Sequence, residues 1–168
     1  YTNFVLKLST KEVFKMKYRC CFKSPFGFVK IEGDFDKVTS IKLTELPESD
    51  SDTVPDELNK CRIQLEEYFD GKRKSFSFKF SIDGTDFQKR VWTAIMNVPY
   101  GKTASYKEVA ILAGKPEASR AVGTATKSNK LWILVPCHRV INSNGFIGGY
   151  GGNEQIKKAL IKLEKRNS

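Results

Sequence analysis

Histidine is almost missing from this chain. Its 168 residues include a single one, His138. Zinc sites are built from several cysteine and histidine ligands at short, regular spacings. The sequence has four cysteines, but it contains no C-x-x-C pair and no second imidazole. A zinc finger or a histidine-rich metalloenzyme is therefore not supported.

The cysteines do not form the framework of a small secreted protein either. Cys20 and Cys21 are neighbours, and a disulfide between adjacent residues requires strained geometry. The remaining two cysteines, Cys61 and Cys137, are far apart in the sequence. Free thiols are typical of a reducing environment. We therefore expect an intracellular protein, cytoplasmic in a prokaryote or nuclear in a eukaryote.

Long apolar runs are also absent from the sequence. No segment approaches the ~20 apolar residues that a membrane-spanning helix needs. Residues 1–15 lack the apolar block and the small-residue cleavage site of a signal peptide. The length and the 40% hydrophobic content suit one compact domain or two small lobes that share a core.

The positive charge is concentrated in the second half of the chain. Residues 81–168 hold 14 lysines and arginines against 6 acidic residues, whereas residues 1–80 hold 15 against 13. A basic half beside a nearly neutral half is typical of a protein that binds a polyanion. Charge alone supports a lysine-rich solvated surface equally well.

The first half alternates like an antiparallel sheet. The segments "YRCCFK", "FGFVKIEG" and "KVTSIKL" are separated by turn sequences at 24–27 and 33–37. Alternation places Cys20 in the core and Cys21 at an edge or surface. A helix is predicted over 57–71, and a further strand over 74–81. The apolar stripe of the helix is Leu58, Cys61, Leu65 and Phe69.

The second half is predicted to be mostly helical. Thr85 with Gln88, and Ser105 with Glu108, form two capping-box patterns that begin helices. Gly114 would end the second helix, and Pro116 would begin a third. Two short helices joined by a tight turn resemble a helix-turn-helix.

An apolar run, "LWILV" at 131–135, leads to the most chemically informative residues. It is predicted to be a buried strand that Pro136 ends. Cys137 and His138 follow, and then the glycine-rich "INSNGFIGGYGGN". Such a segment indicates a loop, or a place where the backbone approaches a ligand closely.

Glu164 is the candidate carboxylate partner of this pair. It lies four residues after Leu160 on the final helix, which Asn153 caps, and an inward carboxylate requires a partner. His138 and Arg139 are both candidates. Neighbouring residues on an extended chain point to opposite faces, so Cys137 and His138 are expected to communicate through a water. Spacing alone supports a nucleophilic Cys137 and a buried structural thiol equally.

Several segments in order resemble the O6-alkylguanine-DNA alkyltransferase family. They are "ASYKEVA", "SRAVGTATKSN", "PCHRV" and "IGGYGG", and the resemblance extends from about Phe87 to Glu164. It implies an α+β fold with an N-terminal sheet-and-helix lobe (1–81) and a mostly helical C-terminal lobe (82–168) that contains a helix-turn-helix. It also implies direct DNA repair: the protein flips out an O6-alkylguanine and moves the alkyl group, once, to its own cysteine.

The resemblance assigns roles to individual residues. Cys137 would be the alkyl acceptor, His138 its base through water, and Glu164 the group that orients His138. Asn129 would order the active-site turn, and Tyr106 would donate a proton to the leaving guanine. Residues at DNA-contacting positions of the family are Arg120, which would enter the stack in place of the flipped base, together with Gln88, Tyr106, Lys107, Lys115 and Ser143.

The resemblance implies no cofactor, a monomer, and double-stranded DNA containing O6-alkylguanine as the partner. Some family members carry a zinc site in the N-terminal lobe, but one histidine cannot build its two-histidine version, so we expect no metal. Trp132 stands where the family can have proline, which leaves open the tolerance for bulky alkyl groups. Two other hypotheses are a DNA-binding module with a structural thiol and a cysteine hydrolase.

Overall fold

An antiparallel three-stranded sheet and one helix form the N-terminal part of the molecule. The computed structural model describes residues 16–148 and 153–168. Strands β1 (Tyr18–Ser24), β2 (Gly27–Gly33) and β3 (Val38–Thr44) pair in sequence order, with Cys20 opposite Ile31 and Ile31 opposite Ile41. Both predicted turns are therefore confirmed.

Helix α1 (Asp56–Phe69) packs its apolar stripe on this sheet. All four predicted stripe residues are buried, Cys20 is fully buried, and Cys21 is half-buried, as the alternation predicted. Gly71 ends the helix with a φ of 73°, a conformation that costs glycine little.

The prediction of a strand over 74–81 is wrong. Only Phe80 makes a sheet-like bridge, to Val38. Side chains of α1 instead form hydrogen bonds with the main-chain N–H groups of this segment. Gln64 accepts from Ser77 N at 2.8 Å, and Glu57 accepts from Lys79 N at 2.6 Å. Alternation of apolar residues predicted the burial of Phe78 but not its backbone partners.

Three helices form the middle of the chain: α2 (Asp86–Met96), α3 (Tyr106–Leu112) and α4 (Ser119–Lys127). The capping boxes of Thr85 and Ser105 are both present, so both predicted helix starts are confirmed. Gly114 has the predicted left-handed φ, at 77°. The prediction that the third helix begins at Pro116 is wrong. A turn, closed by the hydrogen bond from Ala118 N to Lys115 O, precedes α4.

The final helix, α5 (Glu154–Arg166), begins at the predicted cap, where Asn153 accepts from Ile156 N. A two-residue parallel pair, β4 (Ala104–Ser105) and β5 (Val140–Ile141), joins the start of α3 to the segment after Cys137. The α+β class is confirmed. Within the ranges 16–148 and 153–168, no helix has the length and apolar character needed to cross a bilayer.

Two predictions lie wholly or partly outside the described residues. One concerns the absence of a signal peptide in residues 1–15. The other concerns the glycine-rich loop, of which residues 149–152 are not described.

Candidate active site

The segment before Cys137 is a tight, irregular turn, so the strand predicted over 131–135 is wrong. One parallel bridge joins Leu131 to Ile41, and then Val135 N donates back to Leu131 O at 2.9 Å. Ile133 adopts a φ of 70° within this turn. A β-branched residue in that region costs on the order of 1–3 kcal/mol, and such strain is concentrated at functional sites.

Pro136 continues this change of direction. Its φ of −79° and ψ of 65° match an inverse γ-turn, and Cys137 N donates across it to Val135 O at 2.8 Å. A single 3₁₀ turn, Cys137–Arg139, follows, and all three of its residues are buried. The apolar run is thus buried as predicted, but its backbone serves to place Cys137.

Asn129 braces this turn from the end of α4. Its amide nitrogen donates to Val135 O at 3.0 Å and to Cys137 Sγ at 3.4 Å, while its amide oxygen accepts from Leu131 N at 2.8 Å. One side chain therefore fixes both ends of the turn and contacts the thiol. A hydrogen-bond donor at sulfur favours the thiolate form.

His138 is fully buried and lies against Glu164 of α5, with 2.6 Å between Nε2 and Oε1. Burial lowers the pKa of His138, although Glu164 opposes that effect. The neutral ring therefore keeps its proton on Nε2, where the carboxylate accepts it, and Nδ1 carries the free lone pair. Nδ1 has no hydrogen-bond partner among the described residues, and it is the nitrogen available to take a proton.

Arg139 also binds Glu164, so both candidate partners of this carboxylate are used. Its Nε donates to Oε2 at 2.9 Å and its Nη2 to Oε1 at 3.0 Å, and Gly101 N adds a hydrogen bond to Oε2 at 3.1 Å. Burial by itself raises the pKa of Glu164, but His138 and Arg139 outweigh it and lower that pKa to about 2. Glu164 is therefore ionised at neutral pH.

Burial raises the pKa of the Cys137 thiol to about 12, while the Asn129 hydrogen bond and the Lys157 charge oppose the effect. Lys157 is itself buried, and burial lowers its pKa to about 8, against the opposing effect of Cys137. Since the thiol is protonated at neutral pH, attack by this sulfur has to be coupled to loss of its proton.

A pocket of about 480 Å³ opens beside Cys137. Asn129 and Ile156 line it from the C-terminal part, and Phe26 and Leu43 line it from the sheet. Trp132 forms a further wall, and its ring packs edge-on against that of Phe26 at 6.5 Å between centroids. The pocket is large enough for a planar base with a small substituent.

Tyr106, the first residue of α3, is half-buried and lies outside the lining of that pocket. The Lys157 ammonium lies 5.7 Å from the centre of its ring. Burial raises the pKa of Tyr106, and so does the charge of Cys137, so the phenol retains its proton at neutral pH. Tyr106 is thus a protonated phenol within the electrostatic influence of Cys137.

The remaining sequence-predicted residues belong to the C-terminal part of the chain. Lys107, Lys115, Arg120 and Ser143 are exposed. Gln88 differs from them, because its side chain completes the capping box of α2 and donates to Ser128 Oγ at 3.0 Å.

Two residues that lie near Cys137 and Glu164 were not identified from the sequence. Tyr68 of α1 donates to Glu164 Oε1 at 2.6 Å, and Lys157 is close enough to influence the Cys137 thiol. A tyrosine three residues after Leu65 on an apolar stripe was a usable signal, because a buried phenol needs a polar partner. A lysine beside the stripe of α5 gave no comparable signal, since most helical lysines are solvated.

Within residues 16–148 and 153–168, no group of three or more histidine, cysteine and acidic side chains is close enough together to hold a metal ion.

Two family models match the chain. One, described as the DNA-binding domain of 6-O-methylguanine DNA methyltransferase, matches residues 86–166, and the other, its ribonuclease-like domain, matches residues 17–82. A methylated-DNA–protein-cysteine methyltransferase of Methanosarcina barkeri is 41% identical over 158 residues, which cover 89% of this chain and 98% of that protein.

Solved structures are also similar. The O6-methylguanine methyltransferase of Mycobacterium tuberculosis superposes with a TM-score of 0.81 at 39% identity, covering 91% of this chain and 95% of that chain. The structure of Mycobacterium tuberculosis OGT in complex with DNA gives a TM-score of 0.79 at 40% identity, covering 88% and 92% of the two chains.

Proposed function

We propose, since this chain belongs to the 6-O-methylguanine DNA methyltransferase family, that it repairs DNA by transferring the alkyl group of an O6-alkylguanine to its own Cys137. The protein is consumed in the reaction: one alkyl group is accepted per molecule, and no cofactor takes part. The observation that carries this assignment is Cys137 Sγ at the wall of a pocket, bonded to Asn129 and followed directly by the buried His138–Glu164 pair.

The transfer is a displacement at the alkyl carbon. Cys137 sulfur forms the new S–C bond while the bond from that carbon to guanine O6 breaks. The thiol proton passes through a bridging water to Nδ1 of His138, and Glu164 stabilises the imidazolium that forms. The products are an S-alkylcysteine and an unmodified guanine, so atoms and charge balance once the guanine has been protonated.

Tyr106 supplies that last proton. The departing guanine carries negative charge as the C–O bond breaks, and a nearby phenol that keeps its proton at neutral pH lowers the barrier. Lys157, whose ammonium lies 5.7 Å from the centre of the Tyr106 ring, favours negative charge on the Cys137 sulfur.

The partner is double-stranded DNA, bound by the protein as a monomer. Helices α3 and α4 act as a helix-turn-helix, and exposed Arg120 on α4 replaces the flipped base in the stack. Lys107, Lys115 and Ser143 contribute contacts to the sugar–phosphate backbone. In this division of labour, residues 82–168 bind DNA and accept the alkyl group, and residues 1–81 support them.

The experiment is mass spectrometry of the intact protein and its peptides after incubation with duplex DNA that contains one O6-methylguanine. We expect a single added methylene, on the Cys137 peptide, and none on Cys137→Ser. Cys21→Ser serves as the matched control, because Cys21 is the half-exposed thiol of the sheet, and this variant should accept the methyl group normally.

Other outcomes would contradict the proposal. An unmodified wild-type protein that is folded, reduced and bound to the lesion would indicate a DNA-binding module with a structural thiol. Repeated turnover of an ester or amide would indicate a cysteine hydrolase.

A further inference from the structure

We infer that Tyr68, which belongs to the N-terminal lobe, is a positioning residue for the His138–Glu164 pair and makes alkyl transfer depend on both lobes. The inference rests on the proposed function, because it concerns the group that takes the Cys137 proton. It assigns the N-terminal lobe a part in the chemistry beyond support.

The contact is direct and buried. Tyr68 Oη lies 2.6 Å from Glu164 Oε1 and 3.4 Å from His138 Nε2, and all three side chains are at most 1% exposed. Tyr68 and Glu164 are 96 residues apart in the chain, so this hydrogen bond crosses from α1 to α5. It places a hydroxyl of the first lobe beside the imidazole of the second.

The direction of this hydrogen bond follows from the protonation states. Burial raises the pKa of Tyr68, and the negative charge of Glu164 raises it further, so the phenol keeps its proton. Glu164 is ionised, and therefore the hydroxyl donates and the carboxylate accepts. Oε1 thus receives three hydrogen bonds, from Tyr68, from His138 and from Arg139 at 3.0 Å.

Sharing one oxygen among three donors has a consequence for His138. Each additional donor withdraws charge from the carboxylate and weakens its hold on the imidazole proton. Removing the Tyr68 hydroxyl should therefore raise the pKa of His138. It should also loosen the ring, because one of the groups that fix the carboxylate in place is lost.

Aromatic packing holds Tyr68 in this position. Its ring lies 5.5 Å from that of Phe69, 5.8 Å from that of Phe76 and 6.1 Å from that of Tyr100, measured between centroids. A hydroxyl carried by so closely packed a ring is pre-organised, since little side-chain freedom remains to be lost when the imidazolium forms.

Tyr100 provides a matched control. Its ring belongs to the same cluster, but its buried hydroxyl has no hydrogen-bond partner among residues 16–148 and 153–168. Tyr68→Phe and Tyr100→Phe remove the same atom from neighbouring rings. Only the first removes a hydrogen bond to Glu164.

The single histidine of the sequence makes a direct readout possible. We would titrate the ring nitrogens of His138 by ¹⁵N NMR in tag-free protein, and measure the second-order rate of methyl transfer from O6-methylguanine duplex DNA across the same pH range. For Tyr68→Phe we expect a higher His138 pKa. The acidic limb of the pH–rate profile should shift to higher pH by the same amount, and the rate at neutral pH should fall by up to about 100-fold. Tyr100→Phe should match the wild type in both measurements.

The inference would be overturned if Tyr68→Phe lowered only the melting temperature. In that case the His138 titration and the rate of methyl transfer per folded molecule would both be unchanged. Absence of methyl transfer by the wild type would instead contradict the proposed function, while the NMR titration would still decide the coupling of Tyr68 to His138. Should Tyr68→Phe not fold, the wild type must show a nuclear Overhauser contact between a tyrosine hydroxyl proton and the Nε2 proton of His138. Its absence would also overturn the inference.

Discussion

Three buried thiols in two lobes allow a comparison of the proposed alkyl acceptor with two cysteines that lie in the packed core. Cys20 and Cys61 lie between the sheet and α1, whereas Cys137 lies in the 3₁₀ turn of the C-terminal lobe. Burial raises the pKa of Cys20 and of Cys137 to about 12, and raises that of Cys61 strongly as well. Burial therefore does not distinguish them.

The neighbours of the sulfur atoms make the difference. Cys20 donates its proton to Leu58 O at 3.9 Å, and the charge of Asp50 raises its pKa further. Cys137 instead accepts from Asn129 and lies near Lys157, which both favour the thiolate. We attribute the proposed reactivity of Cys137 to the hydrogen-bond donor, the cation and the open space beside its sulfur, because only Cys137 of these three thiols lines the 480 Å³ pocket.

The same contrast holds for what stabilises each lobe. Both lobes pack apolar faces together, but the C-terminal lobe also contains an ionised, buried Glu164. This lobe therefore adds a buried charge to its apolar packing, which makes the comparison testable by substitution and by pH.

Replacing the central carboxylate should have the largest effect. Glu164→Gln leaves the buried Arg139 without its counter-charge, and breaking such a pair costs about 3–5 kcal/mol. We expect this loss in urea denaturation at pH 7. Glu154→Gln on the same helix removes an exposed pair with Lys158, which should cost at most about 1 kcal/mol. Equal losses in the two variants would contradict the dependence on buried charge.

Truncation in the N-terminal core should cost about 2–5 kcal/mol through a cavity. Leu65→Ala tests this, because Leu65 is fully buried, and Ile63→Ala on the half-exposed face of α1 is the control. The loss should be the same at pH 7 and pH 5, since no ionisable partner is involved. A loss that changes by more than about 1 kcal/mol between the two pH values would break the distinction between the lobes.

Acid should weaken the C-terminal network by about 3 kcal/mol. The pKa of Glu164 is lowered from 4.5 to about 2, so its contribution is complete above pH 4.5 and is lost as the pH falls toward 2. Burial also lowers the pKa of His138, so stability begins to decline below pH 6.5, where the unfolded chain binds the extra proton. Melting temperatures from pH 7 to 2 measure both effects, and Glu164→Gln should remove the contribution of Glu164 to the decline below pH 4.5. The same decline in that variant would refute this account.

The smallest of these effects is expected at the turn before Cys137. Asn129→Ala leaves Leu131 N and Val135 O without their side-chain partner, at a cost of about 1–3 kcal/mol. Asn144→Ala, which removes one exposed hydrogen bond to Phe146 N, should cost no more than about 0.5 kcal/mol. Thermal denaturation distinguishes the two, and equal stability of both variants would show that the brace is dispensable.

Local patterns predicted the regular elements well. The hairpin turns, the successive residues of the α1 stripe and both capping boxes depend on residues within about four positions of each other, and all are present. The irregular segments were predicted less well. The runs at 74–81 and 131–135 are apolar because they are buried, and burial does not specify which groups satisfy their backbone.

The sequence by itself determined the cysteine, the histidine beside it, the basic half of the chain and the helix and hairpin signals, because each follows from composition or from interactions between near neighbours. Only the tertiary structure decided that Glu164 accepts hydrogen bonds from both His138 and Arg139, and that Tyr68, 96 residues away, donates a further one. Such partners depend on which faces of α1, α5 and the 3₁₀ turn meet when the lobes pack. A buried carboxylate requires partners, and the packing of the two lobes selects them.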